Sequence, residues 1–331
     1  MTAMLAGAGP LLRTLPTGET RRHDRYILPI IEDLVRQGLL VERPEPRWSL
    51  SPARPLYRVA PGVRLRRRRI ELGYAGEAAE ALATFRRARA EHGLPGLRLQ
   101  IGMATDFTFT TVALAARARR RHRKAFAATM HREIAAIREL AGDDVVIQLE
   151  APAELILTTK TWHWHRFVDR ALRFGRGMGA LAAASPEGTR FGVHLCLGGM
   201  NNKAGATMDT AKPLVYLANS VVRHWPEGRI LDYVHGPIAA GDIPPPRDPA
   251  FYAPLAGLAL DEGTRFYAGF VHETPSAAEQ IETLGMIEDA LGRRLDGVAS
   301  ACGLGSRTRD VADLLVTRAA ELAVAESIHR S

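Results

Sequence analysis

The sequence predicts an α/β protein, a single (β/α)₈ TIM barrel spanning residues 1–331. Two observations carry this. Short β-rich runs alternate with longer amphipathic helical patterns, as parallel sheets with outer helices require. The informative polar residues fall repeatedly at the C-terminal ends of those runs, the face on which barrels of this kind build their sites.

The eight expected strands are residues 11–15, 56–59, 97–102, 145–150, 191–196, 230–235, 265–272 and 297–302. The expected helices are 26–37, 75–92, 113–140, 167–184, 209–224, 277–291 and 310–325. The start, MTAMLAGAGPLL, has no basic n-region, so it reads as the first strand and not as a signal peptide. The second strand is bracketed by Pro55 and Pro61. The proline-rich stretch 236–254 follows a strand and precedes FYAPLAGL, a short helix, so it reads as a long loop at the functional face.

Composition sets bounds. A chain that is 46% hydrophobic can bury a sizeable core, and no run of 18 apolar residues marks a membrane span. The net charge of +8 gathers in arginine runs at 66–69 and 117–123. No nucleic-acid-binding motif accompanies it, so the charge reads as a solvated face, with neither nucleic acid nor membrane as partner. With two cysteines a disulfide framework is excluded, and a reducing, cytoplasmic setting is expected. Composition says nothing about oligomeric state.

Chemistry concentrates at the strand ends. Glu150 ends DVVIQLE, His194 and Cys196 end FGVHLC, His235 ends ILDYVH, His272 ends FYAGFVH and Cys302 ends DGVASAC. His194 and Cys196 are two apart on a strand, so both point the same way. Imidazole and thiolate on one face suit Zn²⁺, and the second cysteine ends another strand. The bland alternative is two buried cysteines and a core histidine. Asp106, in TDFTFTT, follows the third strand and is expected to line the pocket. Glu19, Arg21 and Arg22, in GETRR, are candidates for gripping a carboxylated substrate. His163 and His165, in TWHWH, alternate beside two tryptophans whose expected role is packing.

The order IQLEAPA, HLC, YVH, FVH and ACGL resembles the zinc-bearing C-terminal barrel of cobalamin-independent methionine synthases. That family has IQIDEPA-type, His-x-Cys, DIH-type and DCGL-type strand ends. The sequence is also similar to a bacterial branch of the wider methionine synthase and uroporphyrinogen decarboxylase superfamily. The resemblance implies zinc held by His194, Cys196 and Cys302. It implies Glu150 as the carboxylate that holds the amino group of a thiol substrate, and His272 as a proton donor. The family's acidic zinc ligand is not evident; His235 stands at the equivalent strand end and is expected to be the fourth ligand. Asp232, three residues earlier, is assigned by strand parity to the opposite face. Ala151 replaces the family's second acid.

The expectation is a zinc-dependent transferase that alkylates a small-molecule thiol, methionine-synthase-like in chemistry. The alkyl donor is a folate, a corrinoid protein or another electrophile. The alternatives are a zinc lyase or hydrolase, and a non-catalytic zinc-stabilised binding protein.

Overall fold

In a computed structural model the described residues are 1–17, 26–43, 56–199 and 202–325. The first elements are α1 (Thr2–Ala8), β1 (Thr14–Pro16), α2 (Leu28–Arg36), β2 (Leu40–Glu42), β3 (Tyr57–Val59) and α3 (Tyr74–Glu91). The middle of the chain forms β4 (Arg98–Ala104), α4 (Asp106–Ala113), α5 (Ala116–Ala141) and β5 (Val145–Ala151). Next come α6 (Pro152–Lys160), α7 (His165–Leu172), α8 (Phe174–Ala183), β6 (Arg190–Leu195) and α9 (Lys212–Arg223). The last third forms β7 (Ile230–Pro237), α10 (Pro249–Tyr252), β8 (Arg265–Val271), α11 (Ala277–Leu291), β9 (Gly297–Ser300) and α12 (Arg309–Val324).

Among the described residues seven strands, not eight, form the main sheet, in the order β1-β4-β5-β6-β7-β8-β9, and every pairing is parallel. The expected second strand pairs antiparallel with β2 in a separate two-stranded sheet. It touches the barrel-like body through an isolated bridge between Tyr57 and Leu114. The sheet nevertheless curls like a barrel wall. The Tyr233 hydroxyl on β7 donates across the interior to Gln148 on β5 at 2.9 Å and reaches Gln100 on β4 at 3.1 Å.

Three other expectations change. The apolar start is helix α1, with strand β1 only from Thr14. A short apolar run does not distinguish a strand from a buried helix turn. Here α1 lies so close to α12 that a Cβ on Gly7 would stand 2.9 Å from Val316 Cγ1. The expected helix 167–184 is two helices, broken at Arg173, which sits in the left-handed region at φ 59°. Asp169 fixes the break by accepting from the Phe174 N–H at 3.0 Å. The expected helix 113–140 is likewise preceded by a separate α4, capped by the Thr105 hydroxyl.

Burial explains which sequences became strands. β5, VVIQLEA, is buried along almost its whole length, as a strand covered by helices on one side and the inside of the curled sheet on the other must be. Its neighbour β6 carries Gly192 at the one position where the Tyr233 ring lies over the sheet. Helix α6 is fastened to α4 through Glu154, which is buried and accepts from the Thr108 hydroxyl at 2.6 Å and from the Thr105 hydroxyl. Burial pushes the Glu154 carboxyl from 4.5 up to about 7, against the pull of the two hydroxyls.

Two outcomes follow from this packing. A Cβ at Gly192 would stand 2.0 Å from Tyr233 Cζ, so Gly192→Ala forces the ring out of the interior. Its expected cost in urea denaturation is about 1–3 kcal/mol or more. Gly96→Ala, with nothing within 4 Å of the new atom, should stay within about 0.5 kcal/mol of wild type. Glu154 holds its proton more tightly folded than unfolded, so its contribution to stability falls as pH rises from 4.5 to about 7. The stability difference between wild type and Glu154→Gln should therefore shift against wild type across that window. A difference that stays flat with pH would show the carboxyl to be unperturbed.

Candidate metal centre

Parallel register brings the central polar groups side by side. Ala104 pairs with Glu150, Glu150 with His194, and His194 with His235. Cys196 follows β6 directly, and Cys302 lies two residues past the end of β9. The structure gathers His194, Cys196 and Cys302 so that one ligand atom of each lies within 4.8 Å of the others. Neither cysteine is in a disulfide, and their sulfurs are 3.5 Å apart.

The donor set fits zinc. Two sulfurs, each about 2.3 Å from a tetrahedral ion, stand about 3.8 Å apart, close to the spacing found here. The surroundings are cut to these groups. A Cβ on Gly199 would come 2.9 Å from Cys302 Sγ, and one on Gly102 would come 2.5 Å from Glu150 Oε1.

The two histidines form a directed relay. His235 Nε2 is 3.0 Å from the Ser300 carbonyl oxygen, which can only accept, so that nitrogen carries the proton. His235 Nδ1 is then an acceptor, and His194 Nδ1, 2.8 Å away, must donate to it. The His194 proton is thus on Nδ1, and its Nε2 keeps a lone pair for a metal. This is how the far nitrogen of a metal-binding imidazole is normally held. Burial lowers both imidazole pKa values, that of His194 well below 6.5 and that of His235 to about 4. Both rings are therefore neutral at physiological pH, as the relay requires. The neighbouring Cys302 sulfur and burial push the Cys196 thiol up, while the Gly198 N–H, 3.2 Å from its sulfur, pulls it down.

The expected residues divide clearly. His235 stands beside the three-donor group but is not part of it, and both its ring nitrogens are engaged. Glu150 lines the same cavity, with the Gln148 amide 3.4 Å from its Oε1. Asp106 is buried and ion-paired with Arg123, and it is not among the cavity-lining residues. His272 is buried too. Its Nδ1 accepts from the Thr274 N–H at 3.1 Å, and its Nε2 sits 3.2 Å from the Gly241 carbonyl. That ring braces the loop after β7 and does not line the cavity. His165 stacks on Trp162 at 4.0 Å. Glu19, Arg21 and Arg22 lie outside the described residues.

Asp232 does not lie on the face opposite His235, for a local reason. The β6–β7 register slips between Phe191 and Gly192, so Asp232 and His235 both line the cavity. Asp232 is nonetheless committed elsewhere, in a two-point ion pair with Arg190 at 2.6 and 2.9 Å. Sequence reasoning also passed over Tyr26. Its backbone is left-handed at φ 59°, it lines the cavity, and its buried hydroxyl has no hydrogen-bond partner. After burial, the Glu150 carboxylate is the largest influence raising its pKa, with Cys196 and Glu154 adding to it. Nothing in the pattern around Tyr26 distinguishes it from an ordinary helix-entry residue.

The sequence matches no protein-family model and no curated protein. Its fold is similar to solved structures. A methyltransferase from Methanosarcina mazei aligns over 96% of this chain and 82% of its own, with TM-score 0.54 and 13% identity. A B12-independent methionine synthase from Shewanella sp. W3-18-1, in complex with selenomethionine, aligns over 81% of this chain and 67% of its own. There the TM-score is 0.44 and the identity 14%. At these identities the likeness concerns the fold: a curled parallel α/β sheet of TIM-barrel type.

Metal analysis of the purified protein should find about one zinc per chain, lost in both Cys196→Ser and Cys302→Ser. His235→Gln should weaken zinc binding by about 10–100-fold without abolishing it, the usual effect of losing a partner behind a ligand. Complete loss of zinc in that variant would place His235 in the coordination shell.

Proposed function

We propose that this chain is a zinc-dependent transferase that moves a methyl or other alkyl group onto a small-molecule thiol. One observation carries the proposal. Among the described residues the donor group has three protein ligands, in a large cavity of about 1890 Å³, which supports a fourth position for a substrate. Structural zinc sites are normally closed by four protein ligands, whereas catalytic ones keep a position open. The cavity therefore also argues against a merely stabilising metal.

Bound zinc would supply Lewis acidity that makes a substrate thiol acidic at neutral pH. The protein does the rest. His194 offers Nε2, oriented by its Nδ1–H bond to His235. Cys196 and Cys302 offer their sulfurs, with the Gly198 N–H supporting the charge on Cys196. Glu150, in register with His194, suits the ammonium group of an amino-thiol. The substrate sulfur then forms a bond to the alkyl carbon as the bond to the leaving group breaks with its electron pair. His272 is too deeply committed to its loop to protonate that group, so a different proton source is required.

The test is a screen of thiol acceptors against methyl donors with the zinc-loaded protein. Transfer should depend on both the thiol and the metal. Turnover with water and no thiol would instead support a zinc hydrolase. Glu150→Gln should raise the KM for an amino-thiol about tenfold or more while zinc content stays at wild-type level. Loss of zinc in Glu150→Gln would make the carboxylate a ligand and remove it from substrate binding.

A further inference from the structure

The cavity does not end at the metal centre. Its lining continues down the barrel interior to the N-terminal ends of the strands, where it meets an unusual set of side chains. Arg98, Arg190 and Arg265 are the first residues of β4, β6 and β8, and Arg13 directly precedes β1. All four line the cavity. Side chains alternate along a strand, so Arg98 shares the inward face of Gln100, Arg190 that of His194, and Arg265 that of Tyr267. Barrel interiors are ordinarily filled by layers of branched apolar side chains. Arginines at the base of alternate strands need a reason.

The local acids do not supply it. Asp232 is taken up by Arg190 in the two-point pair described above. Asp296 accepts from the Phe266 N–H at 2.9 Å and pairs with Arg293 at 2.9 Å. Among the described residues no side chain or carbonyl forms an ion pair or hydrogen bond with the guanidinium groups of Arg13, Arg98 and Arg265, and Arg98 Nε is buried without a partner. Tyr267 stands among them, stacked on Tyr233 with ring centroids 4.8 Å apart. Burial raises its pKa, and the opposing influences are Arg265 and Arg13, which places both cations in the field of its hydroxyl. The result is a recess with three unpaired guanidinium forks, a phenol and an opening to solvent. Guanidinium forks match carboxylate and phosphate oxygens two by two.

We propose that the N-terminal mouth of the barrel is a second binding site, for a small polyanion bearing phosphate or carboxylate groups. Arg13, Arg98 and Arg265 grip the oxyanions, and Arg190 is held in place by Asp232. The site lies at the opposite end of the strands from the zinc ligands and does not depend on the thiol-transfer reading.

The test is calorimetric titration of the full chain with pyrophosphate and, separately, with citrate, at 0.15 M ionic strength. The expected result is saturable binding of one anion per chain for at least one probe. Preference for pyrophosphate identifies a phosphate-bearing ligand, and preference for citrate a polycarboxylate. Arg98→Gln combined with Arg265→Gln should lower the affinity at least tenfold. Arg120→Gln with Arg121→Gln, on α5, should leave it unchanged. Arg265→Lys keeps the charge but loses the fork, and should weaken binding while circular dichroism reports an intact fold. Both probes also chelate zinc, so the titration is repeated with Cys196→Ser/Cys302→Ser, where binding should persist. Absence of saturable binding, equal losses in the two arginine pairs, or binding that vanishes with the cysteines would overturn the proposal.

Discussion

Glu150, His194 and His235 stand in one row because β5, β6 and β7 pair in parallel at a fixed register. A slip of one residue in β6 would turn both His194 and the following Cys196 away from the interior, since side chains alternate along a strand. The register is held from inside. The Tyr233 ring rests on Gly192, one step below His194, and its hydroxyl ties β7 to Gln148 and Gln100. The site is therefore only as well defined as this polar strut. A side chain at Gly192, or a different ring at 233, would disturb the relay without touching a ligand.

The relay also bears on two arrangements that have the same residues. A histidine that ligates through one nitrogen leaves the other to be held by its surroundings. Here the Ser300 carbonyl sets the His235 tautomer, and His235 sets that of His194. Removing His235 from that chain to make it a fourth ligand would leave the buried His194 Nδ1–H without an acceptor. An unmade bond of that kind costs about 1–3 kcal/mol. With His194 in the donor group and His235 behind it, every polar atom of the two rings has a role.

Much of this was legible in the sequence. The cluster of His194, Cys196 and Cys302 could be read because strand ends in an alternating β/α chain converge on one face, whatever the details between them. What could not be read were the features set by packing. The second expected strand has β-forming residues, but a four-residue run between prolines cannot declare its partner, and it pairs with β2. Asp232 was misplaced because a register slip breaks strand parity and leaves no mark in composition. His272 looks like a functional strand-end residue. Only the fold shows the Thr274 and Gly241 backbone groups that occupy both its nitrogens.

The interior joins these levels. A barrel filled with aliphatic layers would separate its two mouths with a dry plug. Here the inside of the curled sheet is filled in the middle by Gln100, Gln148, Tyr233 and Tyr267, with glycines opposite the rings. Tyrosine suits the position because its ring excludes water while its hydroxyl satisfies buried amide oxygens. The strut can therefore be polar without leaving its own groups unpaired. It divides the cavity into an end rich in soft and neutral donors and an end rich in fixed positive charge. The division has an electrostatic logic. Fixed cations beside the cysteines would compete with a metal for thiolate charge. Keeping the arginines at the strand starts, and neutral imidazoles at the strand ends, keeps fixed positive charge away from the sulfurs.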